Sequence, residues 1–383
     1  MSLLLTLLFT IVSYNCENLF DCRHDSLKND YEFLPPASAE ALANANASAS
    51  AYANASASAK ANASASANEN ENDNDNDNAG RRMKDDGRRV KDENLNVNLG
   101  ASRNWNFGRY WKKLNNIGRV IQQCGSATSP GTLPDIVALL EVENDSTLFM
   151  LTRRSLLKGA GYRYVMTNSL DARGIDVAMI YNPLTFRLEK SYSIRPELKR
   201  SRSDTVGIRT RDILYAKGVM RARDTLHIFV VHAPSRRNGK SATEGYRLQV
   251  EQRMMQSVDS IRNINPNAKI VLMGDFNDYS NDRALKDIVS RGFVETSKGI
   301  RGLNYEKTGV SGTYKYQGAW NSLDHIFLST GVQQQVERCF IYDAAWLLEE
   351  DNQGGYKPFR TYLGPRYHDG VSDHLPIVLQ LKL

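Results

Sequence analysis

Gly370-Val371-Ser372-Asp373-His374-Leu375-Pro376 places a carboxylate and an imidazole side by side at the mouth of an apolar strand, Ile377-Val378-Leu379. A second acid–imidazole pair, Asp324-His325, opens the apolar run Ile326-Phe327-Leu328. Gly274-Asp275-Phe276-Asn277 closes a third run, Ile270-Val271-Leu272-Met273. Acid, amide and imidazole groups are costly to bury unpaired. Their recurrence at the ends of buried strands points to one polar site between sheets, suited to a divalent metal and a phosphate.

Outward from these stretches, short apolar runs alternate with helical spacing. Strands are expected at Phe9–Tyr14, at Asp135–Leu140 ending in Glu141, at Tyr162–Thr167, at Asp176–Tyr181, at Ile213–Val219, and at Leu226–Val231 ending in His232. Tyr110, Leu114, Ile117, Val120 and Ile121 recur at helical spacing. Further helices are expected around Leu148–Leu157, Glu244–Ile261 and Arg283–Ser290. Short buried strands mixed with helices argue an α/β fold. Polar residues repeatedly end the strands on what would be one edge, where such folds place their sites.

The chain has 383 residues and a formal net charge of +6, enough length for one large domain or two ordinary ones. The charge is uneven. Residues 37–79 are nearly all Ala, Ser, Asn, Asp and Glu, with six acids against the single Lys60. Such a tract cannot bury enough apolar area to offset its ordering entropy, and a disordered insertion is expected. A basic cluster from Arg81 to Lys91 continues it. The remaining body is more basic than the whole, which favours polyanionic ligands. Cys16, Cys22, Cys124 and Cys339 show neither metal nor disulfide spacing and read as free core thiols. Leu3 to Val12 is apolar but lacks a basic leader and a cleavage site. Export is expected only if residues 1–12 derive from a signal peptide, and no other stretch is apolar enough to span a membrane.

Four carboxylates fall at strand ends: Glu17, Glu141, Asp275 and Asp373. Oxygen ligands of this kind suit magnesium, which binds through one or two carboxylates and substrate phosphate. Asn15 and Asn277 can orient a water or a phosphate oxygen. His232 and His374 can act as acid, base or hydrogen-bond donor. Asp324 is the expected partner of His374, and Asp176 that of His232. Arg236 and Arg237, in a basic loop, are expected to meet substrate phosphate. Glu143 and Asn144 read as turn or cap residues. His227, His325 and His368 read as structural or peripheral.

Taken in order, these residues resemble the endonuclease/exonuclease/phosphatase superfamily, whose members include pancreatic deoxyribonuclease, sphingomyelinases and inositol polyphosphate 5-phosphatases. The resemblance covers residues 9–36 and 100–383. It is carried by Ser13-Tyr14-Asn15-Cys16-Glu17-Asn18-Leu19-Phe20, Leu140-Glu141-Val142-Glu143-Asn144, Arg173-Gly174-Ile175-Asp176-Val177, His232-Ala233-Pro234-Ser235, Gly274-Asp275-Phe276-Asn277, Leu323-Asp324-His325-Ile326 and Ser372-Asp373-His374-Leu375-Pro376. It implies a deoxyribonuclease I-like four-layer sandwich of two mixed β-sheets flanked by helices. Residues 1–383 would form one domain, interrupted by the low-complexity insertion at 37–100. It also implies magnesium, with manganese as a substitute, held by Glu141 together with Glu17 or Asp373. Asp275 and Asn277 would activate water, and His374 and His232 would bind the scissile phosphate.

An endonuclease acting on DNA or RNA is the first expectation. The basic body, Arg236, Arg237, Tyr314, Tyr316 and Trp320 fit a phosphate-tracking, base-stacking surface, although strand packing explains the aromatics equally well. A phosphomonoesterase or a phospholipid or inositol-phosphate hydrolase is the alternative. A catalytically inactive binding protein is disfavoured, because the metal glutamate and the terminal histidine are both present. The oligomeric state is left open.

Overall fold

A computed structural model describes residues 8–26, 28–36, 38, 104–201, 203–204, 207–237 and 239–383. The segment 1–7 and the expected insertion at 37–100, apart from Ser38, lie outside the described residues.

In chain order the main elements are β1 (Leu8–Leu19), α1 (Phe107–Ser126), β2 (Ile136–Val142), α2 (Asp145–Arg153), β3 (Arg163–Met166), β4 (Asp176–Tyr181), β5 (Phe186–Ile194), β6 (Ile213–Met220) and β7 (Thr225–His232). There follow α3 (Lys240–Ile264), β8 (Lys269–Asp275), α4 (Arg283–Ser290), β9 (Phe293–Glu295), the hairpin β10 (Tyr314–Tyr316) and β11 (Ala319–Asn321), and β12 (Asp324–Ser329). The last part contains β13 (Val336–Ile341), the hairpins β14 (Leu348–Glu350) with β15 (Tyr356–Pro358) and β16 (Tyr362–Leu363) with β17 (Arg366–Tyr367), and β18 (Ile377–Lys382).

Two six-stranded mixed sheets result, in the orders β13-β18-β1-β2-β4-β3 and β5-β6-β7-β8-β12-β9. Each holds one parallel pair, β1 with β2 and β7 with β8, and otherwise pairs antiparallel. Strand alternation sorts the side chains into layers. Ile11, Ala138, Leu140, Val230, Met273 and Leu379 point between the sheets. Val12, Tyr14, Val137 and Leu139 point outward and meet Leu114, Ile117 and Ile121 of α1. Phe229, Val231, Ile270 and Leu272 meet Val250, Met254 and Val258 of α3. The architecture is therefore helix, sheet, sheet, helix, the four-layer α/β sandwich expected from the motifs.

The helical spacing in α1 matches its buried stripe, and Asn106 caps its start by accepting the Arg109 N–H at 3.0 Å. The second helix does not span Leu148–Leu157. It starts at Asp145, because the Asn144 side chain accepts the Thr147 N–H at 2.9 Å, and it ends at Arg153. β5 was not legible in the sequence. It is an edge strand with mostly exposed, polar side chains, so it carries no apolar alternation.

Candidate active site

The C-terminal ends of both parallel pairs meet at one edge of the sandwich. β1 and β2 bring Asn15, Glu17 and Glu141, while β7 and β8 bring His232 and Asp275. The start of β12 adds Asp324, in register with Asp275, and the turn before β18 adds Asp373 and His374.

The backbone is bent to present these groups. Glu17, Asn18, Glu141 and Asn277 have φ of 48°, 58°, 61° and 51°, a left-handed conformation that is unfavourable for side chains with a Cβ. The β1–β2 ladder shifts register between Asn15 and Leu19, and the β2–β4 ladder between Leu140 and Val142. Bulges of this kind break strand alternation and re-aim side chains at sites. Gly274 has φ 136°, and a Cβ there would sit 2.0 Å from the Val231 carbonyl oxygen. Only glycine allows β7 and β8 to approach this closely next to Asp275.

Asp275 is almost fully buried and is oriented from two sides. Its Oδ1 accepts the Asn277 N–H at 2.8 Å, and its Oδ2 accepts Asn15 Nδ2 at 3.1 Å. Asn277 is itself fixed by donating to the Ala233 carbonyl at 3.0 Å. Burial, then the neighbouring Asp324, push the Asp275 carboxyl up to about 7.

His374 Nδ1 lies 2.7 Å from Asp324 Oδ2, and that oxygen also accepts the Thr313 hydroxyl at 2.6 Å. The His374 backbone is held as well, with its N–H on Ser372 Oγ at 3.1 Å and that hydroxyl on the Asn15 carbonyl at 2.7 Å. Burial opposes charging of the imidazole. Asp324, with Asp373 and Asp275, outweighs it and holds His374 well above the usual histidine range.

His232 does not receive its expected partner. Asp176 Oδ1 accepts the Thr167 hydroxyl at 2.5 Å and the Ser169 N–H at 2.9 Å. It ties down the turn between β3 and β4 and makes no hydrogen bond to His232. His232 Nδ1 has no hydrogen-bond partner among the described residues. Its Nε2 lies 3.8 Å from Glu141 Oε1 and 3.7 Å from Asp275 Oδ2. Burial, then Arg211 and Arg173, hold the imidazole well below the ordinary range, in the neutral form. The segment is anchored through its backbone. Buried Arg211 donates to the His232 carbonyl at 3.2 Å, the Ala233 carbonyl at 2.6 Å and Asp171 Oδ2 at 3.0 Å.

Three carboxylates line the other half. Glu141 Oε2 accepts the Asn18 N–H at 2.9 Å. Glu17 accepts the Thr361 N–H at 2.6 Å and the Tyr362 N–H at 3.4 Å, and burial, then Asp373, raise it to about 7. Buried Lys113 of α1 donates to Thr361 Oγ1 at 2.5 Å and the Val371 carbonyl at 3.0 Å behind this loop. Asp373 Oδ2 accepts Arg360 Nη2 at 2.7 Å. Glu141 Oε1 and Asp373 Oδ1 accept no hydrogen bond from the described residues. Hard oxygen donors of this kind fit magnesium. Asp275, Asp324 and His374 also offer ligand atoms within 4.8 Å of one another. Asp324 Oδ2 is shared between His374 and Thr313, while its buried Oδ1 has no hydrogen-bond partner among the described residues.

Arg236 and Arg237 are less available than expected. Arg236 stacks over Tyr279 at 4.1 Å and lies 3.5 Å from Asp282, while Arg237 is exposed. Two other arginines stand at the carboxylates instead. Arg173 donates to Asn18 Oδ1 at 2.6 Å and lies 3.9 Å from Glu141, and Arg360 bridges Asp373 and Glu17. Arg360 and Arg211 have no role legible in the sequence, since isolated basic residues in loops and strand approaches carry no motif. His325, held by Glu295 at 2.8 Å and the Asp278 carbonyl at 2.9 Å, is structural.

Among solved structures, the chain is similar to an endonuclease/exonuclease/phosphatase family protein from Bacteroides thetaiotaomicron, at 16% identity and TM-score 0.48 over 72% of this chain and 90% of that one. It is similar to a mannosyl-6-phosphatase of the same organism, at 17% identity and TM-score 0.49 over 72% and 93% of the two chains. It is similar to the human Nocturnin catalytic domain with bound sulfate, at 18% identity and TM-score 0.41 over 64% and 80%. No curated protein matches the sequence. No helix of the described residues is long and apolar enough to cross a membrane. The family model of the Endonuclease/Exonuclease/phosphatase family matches residues 83–383, and the chain belongs to that family of phosphoester hydrolases.

Proposed function

We propose that the protein is a magnesium-dependent phosphodiesterase acting as an endonuclease on DNA or RNA. The observation that carries this reading is the convergence of Asn15, Asp275 and the Asp324–His374 pair on one edge, beside three carboxylates. Glu141 and Asp373, with Glu17 behind them, would hold the cation. Once bound, it would polarise a phosphoryl oxygen and offset developing negative charge. Asp275 takes the proton from the attacking water. Its carboxyl, raised to about 7, is near the value at which a general base is most effective at neutral pH. Asn15 and Asn277 fix the angle of that carboxylate. Protonated His374 donates from Nε2 to the phosphate, because Asp324 holds its Nδ1–H. Neutral His232 donates a second hydrogen bond at the same centre. The basic balance of the chain supports a polyanionic substrate.

The test is a panel of plasmid DNA, RNA, sphingomyelin, phosphomonoesters and inositol phosphates, each with magnesium and with chelator. Chelator-sensitive cleavage of DNA or RNA is the expected result. Hydrolysis confined to the other substrates would replace the nuclease reading with the phosphatase or lipid-hydrolase one. Glu141→Gln should lower turnover on the order of 10²-fold, with partial recovery at high magnesium. Near-wild-type turnover at low magnesium would take Glu141 out of the cation site.

A further inference from the structure

Arg360 occupies a position that the reaction scheme above leaves without a task. Its Nη2 donates to Asp373 Oδ2 at 2.7 Å, and its Nε lies 3.7 Å from Glu17 Oε1. That Nε is buried and makes no hydrogen bond. One guanidinium thus sets itself against two of the three carboxylates that would hold the cation. Its backbone cannot follow the side chain if the head moves. The Arg360 carbonyl accepts the Gly370 N–H at 3.1 Å, and a Cβ on Gly370 would come within 2.3 Å of that carbonyl oxygen. The next residue, Thr361, is tied to Glu17 through its N–H at 2.6 Å. The side chain itself is 35% exposed, so this long arm on a fixed base stands against the carboxylates and is open to solvent on its other side.

Charge decides what this arm can do. A divalent cation at Glu17, Glu141 and Asp373 replaces the charge that Arg360 supplies there, and it repels the guanidinium over a few ångströms. An arriving phosphate diester brings back negative charge with the planar, two-oxygen geometry that an arginine fork fits best.

We propose that Arg360 is an exchangeable counter-ion: it pairs with Asp373 and Glu17 before the cation binds, leaves Asp373 as the cation loads, and then grips the substrate phosphate. This rests on the reading of Glu17, Glu141 and Asp373 as the cation site. It makes opposite demands on two measurements. Magnesium binding to the full chain, followed by titration calorimetry without substrate, should be about tenfold tighter in Arg360→Gln, since a competing positive charge is gone. At saturating magnesium the same variant should show KM raised about tenfold, with kcat within threefold. Arg360→Lys keeps the charge but loses the fork. It should bind magnesium as wild type does and still show a raised KM, which covers the case of an unstable glutamine variant. Unchanged or weaker magnesium binding by Arg360→Gln overturns the proposal, and so does a wild-type KM in Arg360→Lys. Wild-type protein that binds no magnesium removes the cation reading and this inference together. Wild-type binding with an unaltered Arg360→Gln affinity removes this inference alone.

Discussion

His374 and His232 reach the same site from different sheets and are equally hidden, at 6% and 4% exposed. Yet their charge states are driven in opposite directions. His374 has an acidic acceptor behind it, and Asp324 with its acidic neighbours overcomes the cost of burial. His232 Nδ1 has no acceptor behind it among the described residues, and Arg211 and Arg173 add to that cost. Burial alone would make both neutral, so the neighbouring charges decide. One imidazole is held by its ring as well as its backbone, the other through its backbone. Each support can be removed separately.

The backbone support is expected to matter most for stability. Arg211→Met keeps bulk but removes three donors and takes the ion-pair partner from the buried Asp171 carboxylate. Breaking such a buried pair costs roughly 3–5 kcal/mol. Urea denaturation should show that loss, together with reduced turnover as the His232 segment loosens. A variant within 1 kcal/mol of wild type would mean that the β7 end is held by its ladder alone.

The ring support should matter most for chemistry. His374→Ala should cost about 10²-fold in turnover, as loss of a transition-state hydrogen-bond donor does. Asp324→Asn should cost a comparable factor and leave magnesium affinity intact. The double variant should be little worse than His374→Ala, since residues acting as a unit are non-additive. Fully multiplicative losses would show two independent residues.

The contrast also shows why one pairing was legible in the sequence and the other was not. Asp324 and His374 both stand at the starts of apolar strands in motifs that resemble a known acid–imidazole pair, and the register of β12 with β8 brings Asp324 beside Asp275 at that edge. Asp176 stands at a strand start too, but a short polar side chain there is as well satisfied by the adjacent turn. Thr167 and Ser169, within ten residues, claim it first. The sheet strands with apolar runs were readable for the same reason as Asp324. β5, Arg211 and Arg360 were not, because an exposed edge strand and single arginines acquire meaning only from distant contacts.

Comparing the two histidines through pH requires separating the site from the rest of the chain. Glu251 of α3 supplies the separation, since its charged neighbours are Asp287, Arg291 and Asp259 rather than the residues of the candidate site. Burial, then the nearby Asp287 carboxylate, push its carboxyl to about 8 from an ordinary 4.5. The folded state therefore holds this proton more tightly than the unfolded chain. Its contribution to stability is complete below about pH 4.5 and is lost as pH rises towards 8. Glu251→Gln should flatten that decline between pH 5 and pH 9. An unchanged slope of unfolding free energy against pH would assign the decline to other groups.

The smallest effect is expected at Asp176, and it is the one that tests the comparison most directly. Asparagine keeps an oxygen to accept from the Thr167 hydroxyl and the Ser169 N–H. It loses only a charge that burial already disfavours, since the Asp176 carboxyl is raised above its usual range. Asp176→Asn should therefore change stability by no more than about 1 kcal/mol and turnover by less than about threefold. If Asp176 set the tautomer of His232, as the strand-start motif suggests, the same change would reverse the imidazole's hydrogen-bonding pattern. It would then lower turnover by orders of magnitude, as at other catalytic histidines that lose their acid. A loss near 10²-fold would show that His232 is held by its ring after all, and that the two halves of the site are built alike.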